Sequence, residues 1–459
     1  MLAGLLLLIT TLFAALFEWT GWVPAAPVAG MALTLYLILS LPKLAPTRIV
    51  FVIVAIGLSI IAITTRDDWS AILWRGMVQA NFICGFFVAL ATLRVPAMRS
   101  EAINRAGRYI ATQPPGRRYL ALSSGGHLFA LVLNYGSIQL LGSMVERLMG
   151  EESDPTIAKI RNRRMLLAIQ RGFLASIFWS PLAFGPVITI DLIAGGSWAQ
   201  LLPFGLLHAA IFTAGGWALD TALKPKVPGG RPVRRQVEGS ARDLLPLLLL
   251  LLITLGGVGL LELATHLRVA AIVMVFVPLV ALAWLLLESR QDSDDAVSVP
   301  ETIHRFTALE LPNYRAEIVL LVMAGFIGAT GGAMAPPWIA ALGIDLSALP
   351  VLALLFGIVI FIPIAGQLGM NPILGVVLFA PLLPSASELG IPPALLILSI
   401  LTGWVLSGLT SPFTATTMLI GRFGGVSAWR AGVVWNAAFI ALSTGLFLLS
   451  LTALLFATG

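Results

Sequence analysis

The chain has 459 residues, is 58% hydrophobic and 11% charged, and carries a net charge of +6 with a mean hydropathy of +0.96. That composition excludes a soluble globular protein and marks an all-α polytopic membrane protein. The single cysteine, Cys84, excludes an internal disulfide and a cysteine-cluster metal site. The basic excess tracks the ends of the apolar runs, which argues for a lipid bilayer and against nucleic acid as the partner.

In chain order, apolar spans are expected at Leu2–Phe17, Val23–Leu41, Ile49–Thr64 and Ile72–Leu93. No basic stretch precedes the first, so it is expected to be a retained helix rather than a cleaved signal. A basic amphipathic linker with Arg94, Arg99, Arg105, Arg108, Arg117 and Arg118 leads into Tyr119–Ser143. A charged stretch then precedes Leu166–Ala194 and Leu201–Leu219. The basic, Gly/Pro-containing loop Asp220–Asp243 divides the halves. After it come Leu244–Leu261, Val269–Leu287, Ile318–Met334, Leu349–Leu383, Pro393–Ile420 and Ala431–Leu455.

Two of these stretches do not read as simple crossings. Gly366 to Pro372, reading GQLGMNP, interrupts Leu349–Leu383 and leaves two arms, each shorter than the roughly 20 residues that span a bilayer core. Unsatisfied backbone at that depth costs several kcal/mol per group, so such a break is kept only where it is covered by protein or lines a cavity. Leu349–Leu383 is therefore expected to be a re-entrant hairpin. Tyr119–Ser143, broken at Asn134-Tyr135-Gly136, is expected to be another.

With both stretches as hairpins, Lys43, Arg48, the linker arginines, the Arg147–Arg171 group, the Lys224–Arg242 group, Arg290, Arg305, Arg315, Arg422 and Arg430 fall on one side. Only Arg66, Arg75 and Arg268 fall on the other, leaving 25 of the 28 basic residues together. The positive-inside rule then puts the N-terminus in the cytoplasm and the C-terminus outside, with about 11 transmembrane helices in a cell inner membrane.

The first half echoes the second. Each hairpin carries an Asn at its tip and is followed by a long span with Ser-Pro near its middle: Leu166–Ala194 at Ser180-Pro181, and Pro393–Ile420 at Ser411-Pro412. Residues 1–48 are expected to be scaffold helices. Residues 49–219 form a first repeat with hairpin 119–143 and broken helix 166–194. After the cytoplasmic linker 220–243, residues 244–459 form an inverted copy with hairpin 349–383 and broken helix 393–420. Inverted repeats with broken helices in matching places point to a midplane substrate site in a secondary transporter.

This arrangement resembles the ion-transporter superfamily, and within it the divalent-anion/sodium symporter family of dicarboxylate and citrate transporters. That family has Ser-Asn-Thr at both hairpin tips; here the tips read Leu133-Asn134-Tyr135 and Met370-Asn371-Pro372, so the Asn is what carries over. The resemblance implies the fold, elevator-type alternating access and a homodimer.

Ser before Pro is a good N-cap, so Ser180 and Ser411 are expected to start second half-helices, as Asn134 and Asn371 start second hairpin arms. Four helix N-termini suit an anion. Asn134, Ser180, Asn371, Thr410, Ser411, Thr414, Thr416 and Thr417 would orient it, unless the Ser and Thr hydroxyls bond their own helices. No Asp or Glu falls well inside a span, which disfavours a carboxylate proton relay. Sodium is then the expected coupling ion, held at the tips near Asn134, Gly136, Gly369 and Asn371, with no other cofactor. His127 and His208 are each either a proton carrier or a neutral hydrogen-bonding side chain. Arg75 is expected to snorkel. Trp19, Trp22, Trp69, Trp74, Trp198 and Trp338 read as an aromatic belt, and Gly328–Gly332 as a packing surface.

The function expected is secondary transport of a small organic anion. Two alternatives stay open. One is the membrane subunit of a binding-protein-dependent transporter. The other is a lipid-handling membrane enzyme with His127 as base, for which the sequence offers no partner carboxylate.

Overall fold

The computed structural model describes residues 1–225, 236–289, 298–337 and 345–458. Lys226, Arg231, Arg234 and Arg235 of the central linker, Arg290 and Trp338 lie outside the described residues.

The helices are α1 (Leu2–Thr20), α2 (Ala25–Ser40), α3 (Pro46–Thr65), α4 (Trp69–Arg99), α5 (Glu101–Ala111), α6 (Arg118–Leu133) and α7 (Gly136–Gly150). They continue with α8 (Pro155–Ala175), α9 (Phe184–Leu192), α10 (Trp198–Ala222), α11 (Leu245–Thr265), α12 (Val269–Glu288) and α13 (Val299–Arg305). The last are α14 (Arg315–Met334), α15 (Val351–Gln367), α16 (Pro372–Phe379), α17 (Pro393–Thr410), α18 (Ala415–Gly424) and α19 (Trp435–Thr458). The chain is an all-helical polytopic membrane protein. Ten helical stretches among the described residues are long and apolar enough to cross a membrane. The interrupted stretch from α8 to α9 is an eleventh candidate.

Local chemistry sets many of the boundaries. Gly21, in the left-handed region at φ 66°, ends α1. Asp154 caps α8 by accepting from the Thr156 and Ile157 amides, with Pro155 in the first turn. Ser197 caps α10 through the Gln200 amide.

The chain forms two compact units that interleave along the sequence. Unit 1 comprises residues 1–96, 254–348 and 373–384. In it α1 packs on α2 and α12, and α14 packs on α3. Gly328 and Gly332 of α14 face Val377 and Pro381 so closely that an added Cβ would collide with them, as the packing reading of Gly328–Gly332 requires. Glu18, whose side chain is only 3% exposed, pairs with Arg268. The outer face of α3 leaves Val50, Ile53 and Ile56 more than half exposed, which fits a lipid-facing surface.

Unit 2 comprises residues 97–253, 349–372 and 385–459. Its centre is α17, in which every residue from Ala394 to Thr410 is buried. Around it, α15, α9, α10, α8 and α19 all make contact with α17, while α6 and α7 pack on α8. The segment expected as the second hairpin divides at its tip: residues 349–372 belong to unit 2 and 373–384 to unit 1.

Candidate functional site

Both long spans are interrupted where the sequence places Ser-Pro, and the interruptions are built alike. In the first, α8 tightens into a 3₁₀ turn at Ser176–Phe178, and α9 starts at Phe184. In the second, α17 ends at Thr410 and α18 starts at Ala415. Ser180 Oγ accepts from the Leu182 amide at 3.1 Å, and Ser411 Oγ accepts from the Phe413 amide at 3.3 Å.

The serines are therefore not the N-caps expected from the sequence. Each opens a short turn, and the caps are Ala183 and Thr414, both extended, neither making a side-chain capping bond. Ser411 is extended, at φ −67° and ψ 126°, as a residue before proline tends to be, and Pro412 and Phe413 follow in a turn before the next helix starts.

Hydroxyls at the second break are turned to the backbone. Ser411 Oγ donates to the Gly366 carbonyl of α15 at 2.7 Å. Thr410 Oγ1 bonds back to Leu406 O at 2.8 Å. Thr416 Oγ1 donates to Gly408 O, and Thr417 Oγ1 to Ser411 O at 2.6 Å. Thr414 Oγ1 lies 2.9 Å from that of Thr416 and 3.1 Å from that of Thr417. The Thr416 and Thr417 hydroxyls thus satisfy carbonyls that the end of a helix leaves open.

The hairpin tips differ. At the first, Asn134 takes φ 50° and ψ −129°, the geometry of the first central residue of a type II′ turn. Its carbonyl accepts from the Ser137 amide at 3.0 Å and from Ser137 Oγ at 2.7 Å. Tyr135, not Asn134, precedes α7, whose first residue is the buried Gly136, and the Tyr135 ring stacks on Phe173 of α8 at 5.1 Å. At the second tip, Gly369 has φ 90°. Met370 N bonds Ala365 O and Gly369 N bonds Gly366 O, both at 3.1 Å, which is a Schellman helix end. Asn371 and Pro372 follow. Of the four helix N-termini expected at the midplane, those of α7, α9 and α18 lie in unit 2, and most of α16 lies in unit 1.

The histidines divide. His127 Nε2 lies 3.2 Å from Trp179 Nε1 with the rings stacked. An indole N–H can only donate, so Nε2 is the unprotonated nitrogen and the ring is neutral. His208 is fully buried and lies parallel to the Phe447 ring at 5.2 Å, beside Phe178. Trp198, expected at a membrane boundary, is instead buried, and its indole donates to Trp179 O at the first break at 2.6 Å.

Sequence reasoning missed Arg171. Counted from the sequence with the cytoplasmic arginines, it is only 4% exposed. Its Nε and Nη2 donate to Asn436 Oδ1 at 3.2 and 3.1 Å, and Nη1 lies 3.3 Å from Tyr119 Oη. The guanidinium sits 3.9 Å from the Phe439 ring centre. Asn436 Nδ2 donates to Gln170 Oε1 and Ala431 O, both at 3.0 Å, and Gln170 Nε2 donates to Leu409 O at 3.4 Å. The available signal was position: Arg171 lies five residues inside the apolar run that begins at Leu166.

This architecture is a fold that membrane transporters use. The chain is similar to MtrF of Neisseria gonorrhoeae, described among a class of antimetabolite efflux pumps, with TM-score 0.57 and 13% identity over 91% of this chain and 96% of that one. It is also similar to the YdaH transporter of Alcanivorax borkumensis, described as having an unusual topology, with TM-score 0.53 and 14% identity over 88% and 98%. Identities this low show a shared fold. No family model and no curated protein matches the chain.

Proposed function

We propose that this protein is a secondary active transporter of a small organic anion, a carboxylate in the first instance. The observation that carries the reading is the pair of matching breaks in unit 2. Each is followed by a helix whose first amides have no side-chain cap, and such N-termini attract negative charge. The breaks, the first hairpin and the first arm of the second would form the transporting part. The N-terminal spans would form the scaffold of an elevator-type homodimer in an inner membrane. The resemblance to the dicarboxylate/citrate symporters belongs to this proposal. MtrF's description as an efflux pump supports export as the direction to test first.

Sodium is the proposed coupling ion. It would be held by backbone carbonyls at the hairpin tips, near Asn134, Gly136, Gly369 and Asn371, since the Thr416 and Thr417 hydroxyls and the Gly408 and Ser411 carbonyls already bond one another. The lack of an Asp or Glu well inside any span supports sodium over a carboxylate proton relay.

The test is thermal melting of the purified protein with mono-, di- and tricarboxylates, sulfonates and inorganic oxyanions, each in sodium and in choline buffer. A carboxylate that raises the melting temperature more in sodium is the expected result. No shift from any anion in either buffer would overturn the proposal.

A further inference from the structure

We infer that Arg171 is the fixed positive charge that sets the sign preference of the transport site. It makes a solute with one negative charge preferred over its neutral isostere. The inference rests on the transport reading above and assigns its specificity to a residue that touches neither break directly.

Arg171 has an amide, not a carboxylate, at its fork. A guanidinium stays protonated in proteins. Two helical turns earlier on α8, Arg164 makes a two-bond pair with the Asp220 carboxylate at 2.8 and 2.6 Å. Among the described residues no carboxylate bridges Arg171 in that way. The oxygen at its fork is the amide Oδ1 of Asn436, and its other neighbours are a phenol and a phenyl ring. The Asn436 orientation is set by its own partners: Nδ2 faces two carbonyl oxygens, so Oδ1 must face Arg171. The groups that touch Arg171 are therefore dipoles rather than a counter-charge, and Asp220, close enough to act on the Tyr119 hydroxyl, is bonded by Arg164; a buried charge held this way is a costly arrangement that marks intramembrane ionisable groups with a role.

The surroundings place this charge at the site. Gln170 carries the network to Leu409 O, next to the second break. Gly172 lies against the Ser123 backbone of the first hairpin, and Phe173 stacks on Tyr135 at its tip. Along the chain the first break begins at Ser176, about one and a half helical turns after Arg171, and its Ser180 lies nine residues on, about 13 Å along a helix. At that separation, with an effective dielectric of about 20, one charge favours a monoanion over a neutral molecule roughly tenfold.

The experiment compares carboxylate and carboxamide pairs: acetate with acetamide, benzoate with benzamide, glutarate with glutaramide. Binding is read by melting temperature in wild type, Arg171→Gln, Arg171→Lys and Asn436→Asp. Wild type is expected to prefer the carboxylate of at least one pair, and Arg171→Lys, which keeps the charge, to retain that preference. Arg171→Gln should lose it by about tenfold. Asn436→Asp leaves Arg171 in place but neutralises it, so it should lose the preference too; because it also gives up the Asn436 Nδ2 donations to Gln170 Oε1 and Ala431 O, its folding is checked by its own melting temperature without ligand. A purely structural tie between α6, α8 and α19 predicts the opposite order, with both Arg171 variants impaired alike and Asn436→Asp still selective. Retained carboxylate preference in Asn436→Asp overturns this inference and leaves the transport reading standing. No carboxylate preference in wild type overturns this inference, and the transport reading falls only if no anion of the wider panel shifts the melting temperature in either buffer.

Discussion

Asn134 carries the clearest backbone strain in unit 2. A non-glycine residue at φ 50° and ψ −129° costs about 1–3 kcal/mol, and a β-branched residue fits there worst. Asn134→Val is expected to destabilise the protein by about 2 kcal/mol, whereas Asn134→Gly holds or raises the melting temperature. Transport lost in a stable Asn134→Gly protein would then belong to the side chain rather than to the turn. The two break serines make a second comparison. Ser411 bonds both the Gly366 carbonyl and the Phe413 amide, while Ser180 bonds the Leu182 amide. Denaturation of Ser411→Ala should show a loss of about 2 kcal/mol, and of Ser180→Ala about 1 kcal/mol. Equal losses would mean that the Ser411–Gly366 bond contributes nothing.

Between elements, small residues decide how closely helices approach. On α6 and α8 the fit is reciprocal: a Cβ at Gly126 would meet the Ile169 carbonyl, and one at Gly172 would collide with the Ser123 carbonyl. Neither obstacle is a side chain that can swing away. Gly172→Ala is expected to cost at least about 2 kcal/mol, measured by thermal or denaturant unfolding, and to displace the Tyr135–Phe173 stack at the first tip. A fully stable Gly172→Ala would show that α6 and α8 slide apart freely. The same tightness recurs where α15 meets α17, since a Cβ at Gly403 would press on Ile362 and one at Gly366 on Ser407. There the nearest obstacles are side chains, so α15 and α17 are packed closely but with more room to adjust than α6 and α8.

At the scale of the molecule, the testable quantity is orientation. Among the described residues, ten apolar stretches plus the interrupted α8–α9 would make an odd number of crossings, and the termini are then expected to face opposite sides. Cys84 is fully buried, so the native chain should resist a membrane-impermeant maleimide in intact cells. Cysteines at the exposed positions Trp22 and Thr458 should then label from outside, and one at the exposed Lys43 only after permeabilisation. Protection of Thr458→Cys in intact cells would require one crossing fewer or more. The interleaving of the two units adds a constraint on folding. Unit 2 takes its last residues from the C-terminal stretch 385–459, so neither sequence half closes its own core.

What could be read from the sequence follows from rules that act along the chain. Apolar length places the spans, and Gly, Asn and Ser-Pro mark the breaks, because backbone and proline sterics act on near neighbours. Hence the interruptions near Asn134, Ser180, Gly369 and Ser411 were legible before any tertiary contact was known. Partner choice was not, because it is made across the fold. That the Thr416 and Thr417 hydroxyls turn to carbonyls of Gly408 and Ser411 depends on how the chain re-enters after the break. That Trp198 caps Trp179 O rather than facing lipid depends on α10 packing at the first break. Arg171 makes the same point most plainly. Its neighbours in sequence group it with solvated arginines, while its neighbours in space, Asn436 and Phe439, lie more than 250 residues away. Burial of a charge is a property of the assembled interior, so only the tertiary structure could decide it.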